Sequence, residues 1–153
     1  MKISDKGLKL IQEFESFVPK PYLDSAKVWT IGYGSTYYPN GKKVSKYDKP
    51  ITREQAESIQ RNVIENDFEK ELNSLLKKEI DRGFINQNMF DALISLTYNI
   101  GITNFKKSSV LRHIRNGDKN SAGDSFLLWK MAGGKVLNGL VKRRKKEREL
   151  FLS

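Results

Sequence analysis

The sequence predicts an α+β fold, with a small N-terminal antiparallel sheet lobe joined by a long helix to a larger helical C-terminal lobe. Three observations carry this. Apolar residues across 52–79 recur at the three-and-four spacing of a helix. Before them, residues 22–47 break into short β-prone runs parted by turn signals. After them come helix-periodic stretches punctuated by Gly, Asn and Asp. A chain of 153 residues suits one domain, 1–153, with a sheet lobe at about 16–51, a connecting helix at about 52–79 and a helical lobe at about 80–153.

Ser4-Asp5-Lys6-Gly7 reads as a helix start with Ser4 or Asp5 as N-cap, and Leu8, Ile11 and Phe14 form its apolar stripe. Glu15 falls in the last turn, before Pro19 and Pro21 forbid continuation. Three short strands are expected at 22–23, 28–33 and 43–47, with Pro39-Asn40-Gly41 turning between the last two. Thr52-Arg53-Glu54-Gln55 is a capping-box pattern. The helix it opens, of about 28 residues, would run roughly 40 Å. Asp81-Arg82-Gly83 breaks it. The stretch 89–100 is apolar almost all round, as a buried central helix is, and Gly101 ends it. Further helices are expected at 108–115, 121–131 and 141–151.

Composition narrows the chemistry. The chain is 38% hydrophobic and 30% charged, as globular proteins are. It has no Cys, which excludes thiol chemistry and a disulfide scaffold. A single histidine, His113, excludes a multi-histidine metal centre and weakens any Ser-His-Asp arrangement. No cofactor or metal is called for, and no apolar run is long enough for a signal-peptide core or a membrane span. The net charge of +10 favours polyanionic partners such as nucleic acid, anionic lipid or cell wall, without choosing among them. The densest basic run, Lys142 to Lys146, lacks groove-reading partners and reads as a solvated helix face. His113 reads as structural or exposed, and Trp129 as a core residue of an amphipathic helix.

Residues 15–36 hold the pattern with chemical content. Glycosidic cleavage needs an acid to protonate the leaving oxygen and a second carboxylate to activate water or stabilise the developing cation. Glu15, between Phe14 and Phe17 at a helix end, has the poorly solvated surroundings such an acid needs. Asp24 sits in a polar loop, suited to the ionised partner. Thr30 opens the second strand, where its hydroxyl would meet the attacking water. Gly32 and Gly34 would let a sugar approach the backbone. The same three residue types also occur on ordinary solvated surfaces.

The spacing Glu15-x8-Asp24-x5-Thr30, followed by Ile31-Gly32-Tyr33-Gly34, resembles the catalytic signature of the bacteriophage-type lysozymes, glycoside hydrolase family 24. Further stretches are similar to the family in the same order. They are Leu10-Ile11-Gln12-Glu13-Phe14, Asn88 to Ser95 with Tyr98-Asn99-Ile100-Gly101, and Trp129 with Gly133-Gly134 and Gly139 to Arg144, Glu147 and Leu150-Phe151. The resemblance implies a lysozyme-like fold and an endo-acting muramidase of peptidoglycan. It implies Glu15 as proton donor, Asp24 as second carboxylate and Thr30 as third member. It also implies Tyr98 as a substrate-facing aromatic and Ser108 as a hydroxyl near substrate. Read alone, Tyr98 is equally a core aromatic and Ser108 a helix N-cap. One of Arg143 and Arg144, the sequence not saying which, is expected to face the cleft and pair with a carboxylate. The family's Gly-Tyr-Gly-His-Thr reads Gly-Tyr-Gly-Ser-Thr here, so Ser35 removes any histidine-linked salt bridge.

The resemblance further implies a monomer made in the host cytoplasm. It would need no nucleic acid and would reach its peptidoglycan substrate through a phage-made membrane lesion. The rival readings are a lytic transglycosylase and a non-enzymatic basic protein binding wall, membrane or nucleic acid.

Overall fold

The computed structural model describes residues 1–153, which fall into two compact units: Lys9–Asp67, and Met1–Leu8 with Phe68–Ser153. The mixed α+β class is as the sequence indicates.

The unit Lys9–Asp67 takes in the end of helix α1 (Asp5–Phe14), strands β1 (Val18–Leu23) and β2 (Trp29–Gly32), and helix α2 (Arg53–Val63). The strands pair antiparallel, with Tyr22 opposite Thr30 and Leu23 opposite Trp29. Pro19 and Pro21 supply no amide hydrogens to this ladder, and the register slips between Val18 and Tyr22, where they lie. The expected strand at 43–47 is absent. Only a single bridge, Tyr37 to Lys43, stands in its place. Asp48 explains this, because its Oδ2 accepts from Ser45 N at 2.8 Å and from the Tyr38 hydroxyl at 2.7 Å. That closes a turn and draws the backbone away from any ladder.

The capping box forms as its pattern indicates: Thr52 Oγ1 accepts from Gln55 N (3.1 Å), and Gln55 Oε1 accepts from Thr52 N (2.8 Å). The helix it starts is not one regular spine. It passes through a π-helical segment, Ile64–Glu69, then α3 (Lys70–Leu75) and α4 (Lys77–Asp81), with an irregular joint at Leu76. The buried face continues through the π-helical segment, from Val63 and Ile64 to Glu69 and Leu72.

In the other unit, α5 (Gln87–Ile100) is capped by Asn86 and buried from Met89 through Thr97. It packs against α9 (Asn138–Leu152). Between them run α6 (Ile102–Lys106), α7 (Ser109–Arg115), α8 (Lys119–Ser125) and a 3-10 turn, Phe126–Leu128. The helix expected over 121–131 therefore ends early. Met131–Ala132 (β3) and Lys135–Val136 (β4) form a hairpin around Gly133 and Gly134, both at positive φ, which α-helix cannot accommodate. Trp129, expected in the core, is half-buried in the turn before this hairpin.

The N-terminus is tied to this unit. Ser4 N donates to Asp91 Oδ1 (2.9 Å), and the Ser4 hydroxyl donates to Oδ2. The Met1 amine reaches Asn73 Oδ1 at 2.5 Å.

Candidate active site

Three stretches of the Lys9–Asp67 unit carry the candidate residues. The first is the end of α1. Glu15 N closes the last helical bond to Ile11 O at 2.9 Å, so Glu15 stands just past the final turn, half-buried. Phe17 fixes the exit that follows. Its ring lies 5.7 Å from that of Tyr33, and the Arg53 guanidinium sits 4.7 Å over its face.

The second is the β1–β2 turn. Asp24 N donates to Val28 O (3.0 Å) and Lys27 N to Asp24 O (2.9 Å), closing a three-residue loop. Lys27, at φ 62, holds the left-handed position that such loops require and that Gly usually fills. Asp24 Oδ1 accepts from Ala26 N (2.8 Å) and Val28 N (2.9 Å), so the carboxylate is part of the turn and its direction is fixed. Both bonds fall on Oδ1.

The third is β2. Thr30 is only 3% exposed, and its hydroxyl donates to Val28 O at 2.9 Å. The proton is thus committed, and Thr30 Oγ1 offers lone pairs rather than a hydrogen.

Tyr22 ties these stretches together. It pairs across the ladder with Thr30, so the two side chains leave the same face of the hairpin. Burial pushes its phenol above the ordinary tyrosine range, and the charges of Glu15 and then Asp24 push it further. The charges of both carboxylates thus reach one phenol. The sequence did not single out Tyr22, although its place two residues before Asp24 puts it on that residue's side of the strand.

Other expectations change. Gly32, at φ +68, is buried, and a Cβ there would come within 3.1 Å of Ala56 Cβ, so it serves packing against α2 rather than sugar approach. Ser108 is buried and is the N-cap of α7. Its hydroxyl donates to Phe105 O (2.7 Å) and accepts from Leu111 N (3.2 Å), which commits it to the chain. Tyr98, in the last turn of α5, is half-buried with its ring 5.4 Å from that of Phe68.

The basic run on α9 is only partly a solvated face. Arg143 and Arg144 are buried around Glu147. Arg143 Nε donates to Glu147 Oε2 at 3.1 Å, and Arg144 Nη2 donates to the same oxygen at 3.1 Å. Arg144 Nε approaches Glu147 Oε1 to 2.6 Å as an ion pair without hydrogen-bond alignment. Both arginines thus pair with one carboxylate, where one was expected. The spacing Arg143, Arg144, Glu147, Phe151 is a single helix face and was readable as such.

No group of three or more His, Cys, Asp or Glu side chains is placed to hold a metal ion. No helix is long and apolar enough to cross a membrane.

Comparison with known proteins places the chain in a family. Residues 12–147 match the family model described as phage lysozyme. The chain belongs to the phage lysozyme family. The endolysin of Salmonella phage P22 is 37% identical over 153 residues, covering 100% of this chain and 99% of that protein. The endolysin of Bacillus phage B103 is 39% identical over 155 residues, but the chain spans only 55% of that longer protein. A crystal structure of a mutant P22 lysozyme superposes with a TM-score of 0.82 at 35% identity, over 100% of this chain and 99% of that one. The α+β architecture is therefore that of the phage lysozymes.

Proposed function

We propose that this phage lysozyme is an endo-acting muramidase, a single catalytic domain and an endolysin. It hydrolyses the β-1,4 bond from N-acetylmuramic acid to N-acetylglucosamine in peptidoglycan. Glu15 protonates the glycosidic oxygen, which leaves with the departing sugar. Water attacks the anomeric carbon, passing one proton to Asp24 Oδ2 as the new C–O bond forms while its other hydrogen is donated in a hydrogen bond to Thr30 Oγ1. That orientation turns its lone pair toward the sugar. Thr30 suits the acceptor role because its own hydrogen is already donated to Val28 O.

The observation that carries the reading is the hairpin on which Tyr22 and Thr30 stand opposite each other on one face, with Asp24 held in its turn by Ala26 N and Val28 N. A water held between Asp24 and Thr30 favours inversion at the anomeric carbon, the outcome associated with carboxyl separations of about 6.5–9.5 Å. The protein acts as a monomer, its +10 charge drawing it to the anionic wall. It is made in the host cytoplasm and gains the wall after the membrane is opened.

Digestion of purified peptidoglycan followed by mass spectrometry tests this. Reducing N-acetylmuramic acid ends are expected. Products ending in 1,6-anhydromuramic acid would instead identify a lytic transglycosylase. Proton NMR of fresh product, showing the α-anomer first, tests inversion.

A further inference from the structure

The hairpin has a second face. Side chains alternate along β2, so Trp29 leaves the side opposite Thr30. There it lines a cleft of about 630 Å³ with Lys27, Val28, Tyr37, Lys43 and Val44, a size within the usual range for small-ligand sites. The floor is rigid. Tyr37 bridges to Lys43 through the backbone, and its phenol donates to Asp67 Oδ2 at 3.1 Å. No acidic side chain lines the cleft, and Asp67, beneath Tyr37, is occupied by that bond. Trp29 and Tyr37 are half-buried, while Lys27 and Lys43 are exposed at the rim.

The geometry points to a second wall-binding site, separate from the catalytic face, that holds a peptidoglycan segment by stacking a sugar ring on Trp29 and pairing a stem-peptide carboxylate with Lys27 and Lys43. Three features select this occupant. A tryptophan offers a flat apolar surface that fits the C–H face of a pyranose. Two ammonium groups without a competing carboxylate match an anion. Peptidoglycan carries sugar and carboxylate on one polymer, so a second grip keeps the enzyme on its substrate between cuts and raises the effective concentration at the catalytic face. The inference rests on the muramidase reading for its ligand.

The test uses the full chain. Co-sedimentation with purified insoluble sacculi is measured in a Glu15→Gln background, so that the polymer survives. Hydrolysis of a soluble, uncrosslinked peptidoglycan oligosaccharide is measured in the active background. Three variants are compared: Trp29→Ala, Lys43→Glu, and Lys78→Glu, which makes the same charge change on exposed α4. Trp29→Ala and Lys43→Glu are each expected to weaken sacculus binding about tenfold, or 1.4 kcal/mol, with soluble hydrolysis unchanged and Lys78→Glu like the parent. Lys43 is exposed, so its variant reports even where Trp29→Ala fails to fold. Sacculus binding by Lys43→Glu equal to the parent, or an equal loss in Lys78→Glu, would overturn the site. A parent that cleaves no soluble oligosaccharide would sink the muramidase reading, while the sedimentation arm still reports on the cleft.

Discussion

Glu147→Ala tests the interior of the helical unit. Glu147 is fully buried, and so is Arg144; Arg143 is 3% exposed. The carboxylate answers both guanidiniums and also accepts from the Ser95 hydroxyl at 2.5 Å. Burial pulls the Arg144 guanidinium below its ordinary range, and Glu147 is the main opposing influence. Without it, Arg144 keeps only Asn99 Oδ1 (2.9 Å) and a long contact to Trp129 O (3.4 Å), while Arg143 keeps Ser95 O (3.0 Å). Removing one partner from a buried ion network costs about 3–5 kcal/mol. In a chain this size each kcal/mol moves Tm by about 2–4 °C, so thermal melts followed by circular dichroism should fall by roughly 6–20 °C. Glu147→Gln, which keeps the shape and loses the charge, should fall between. A fall of less than about 3 °C for Glu147→Ala would show that the arginines find solvent and that the network does not hold the unit together.

Gly7→Ala should destabilise although alanine favours helix by about 1 kcal/mol. A Cβ there would lie 2.6 Å from Asp91 Cγ, and the overpacking cost of about 1–3 kcal/mol exceeds that gain; chemical denaturation measures the net loss. Ser35→Ala should be neutral or stabilising by up to about 1 kcal/mol, because the buried Ser35 hydroxyl has no hydrogen-bond partner; a clear loss would reveal one. Tyr38 should ionise at about 12, raised by burial and then by Asp48. Its raised value favours the neutral phenol in the fold, so that contribution is complete below the unfolded value near 10 and is lost as pH climbs through about 12. Phenolate absorbance in the wild type and Tyr38→Phe separates this titration from those of the other tyrosines.

Local signals carried much of the fold. Thr52 and Gln55 announced the start of α2, whereas the stripe read as one helix to about 79 is divided after Val63 by a π-helical segment and again at Leu76. What escaped was set by single side chains acting on the backbone. Asp48 turned 43–47 away from a ladder, and Gly133-Gly134 made a hairpin of an expected helix end. The π-helical segment Ile64–Glu69 escaped because Ile64, Phe68 and Leu72 keep an ordinary four-residue helical spacing through it. The candidate residues Glu15, Asp24 and Thr30 could be named from the sequence because they lie close together in it, at the end of α1 and in the β1–β2 hairpin. Tyr22 could not, since only strand register sets it opposite Thr30. Arg143 and Arg144 were obscured by a basic run whose exposed lysines share their sequence but not their helix face.

The central claim is that Glu15 gives the proton that breaks the glycosidic bond. Reducing ends released from sacculi by Glu15→Gln, with Tm measured on the same preparation, test it most directly. A rate at least about 100-fold below the parent at an unchanged Tm is the expected outcome. Wild-type release from a folded Glu15→Gln protein would contradict it.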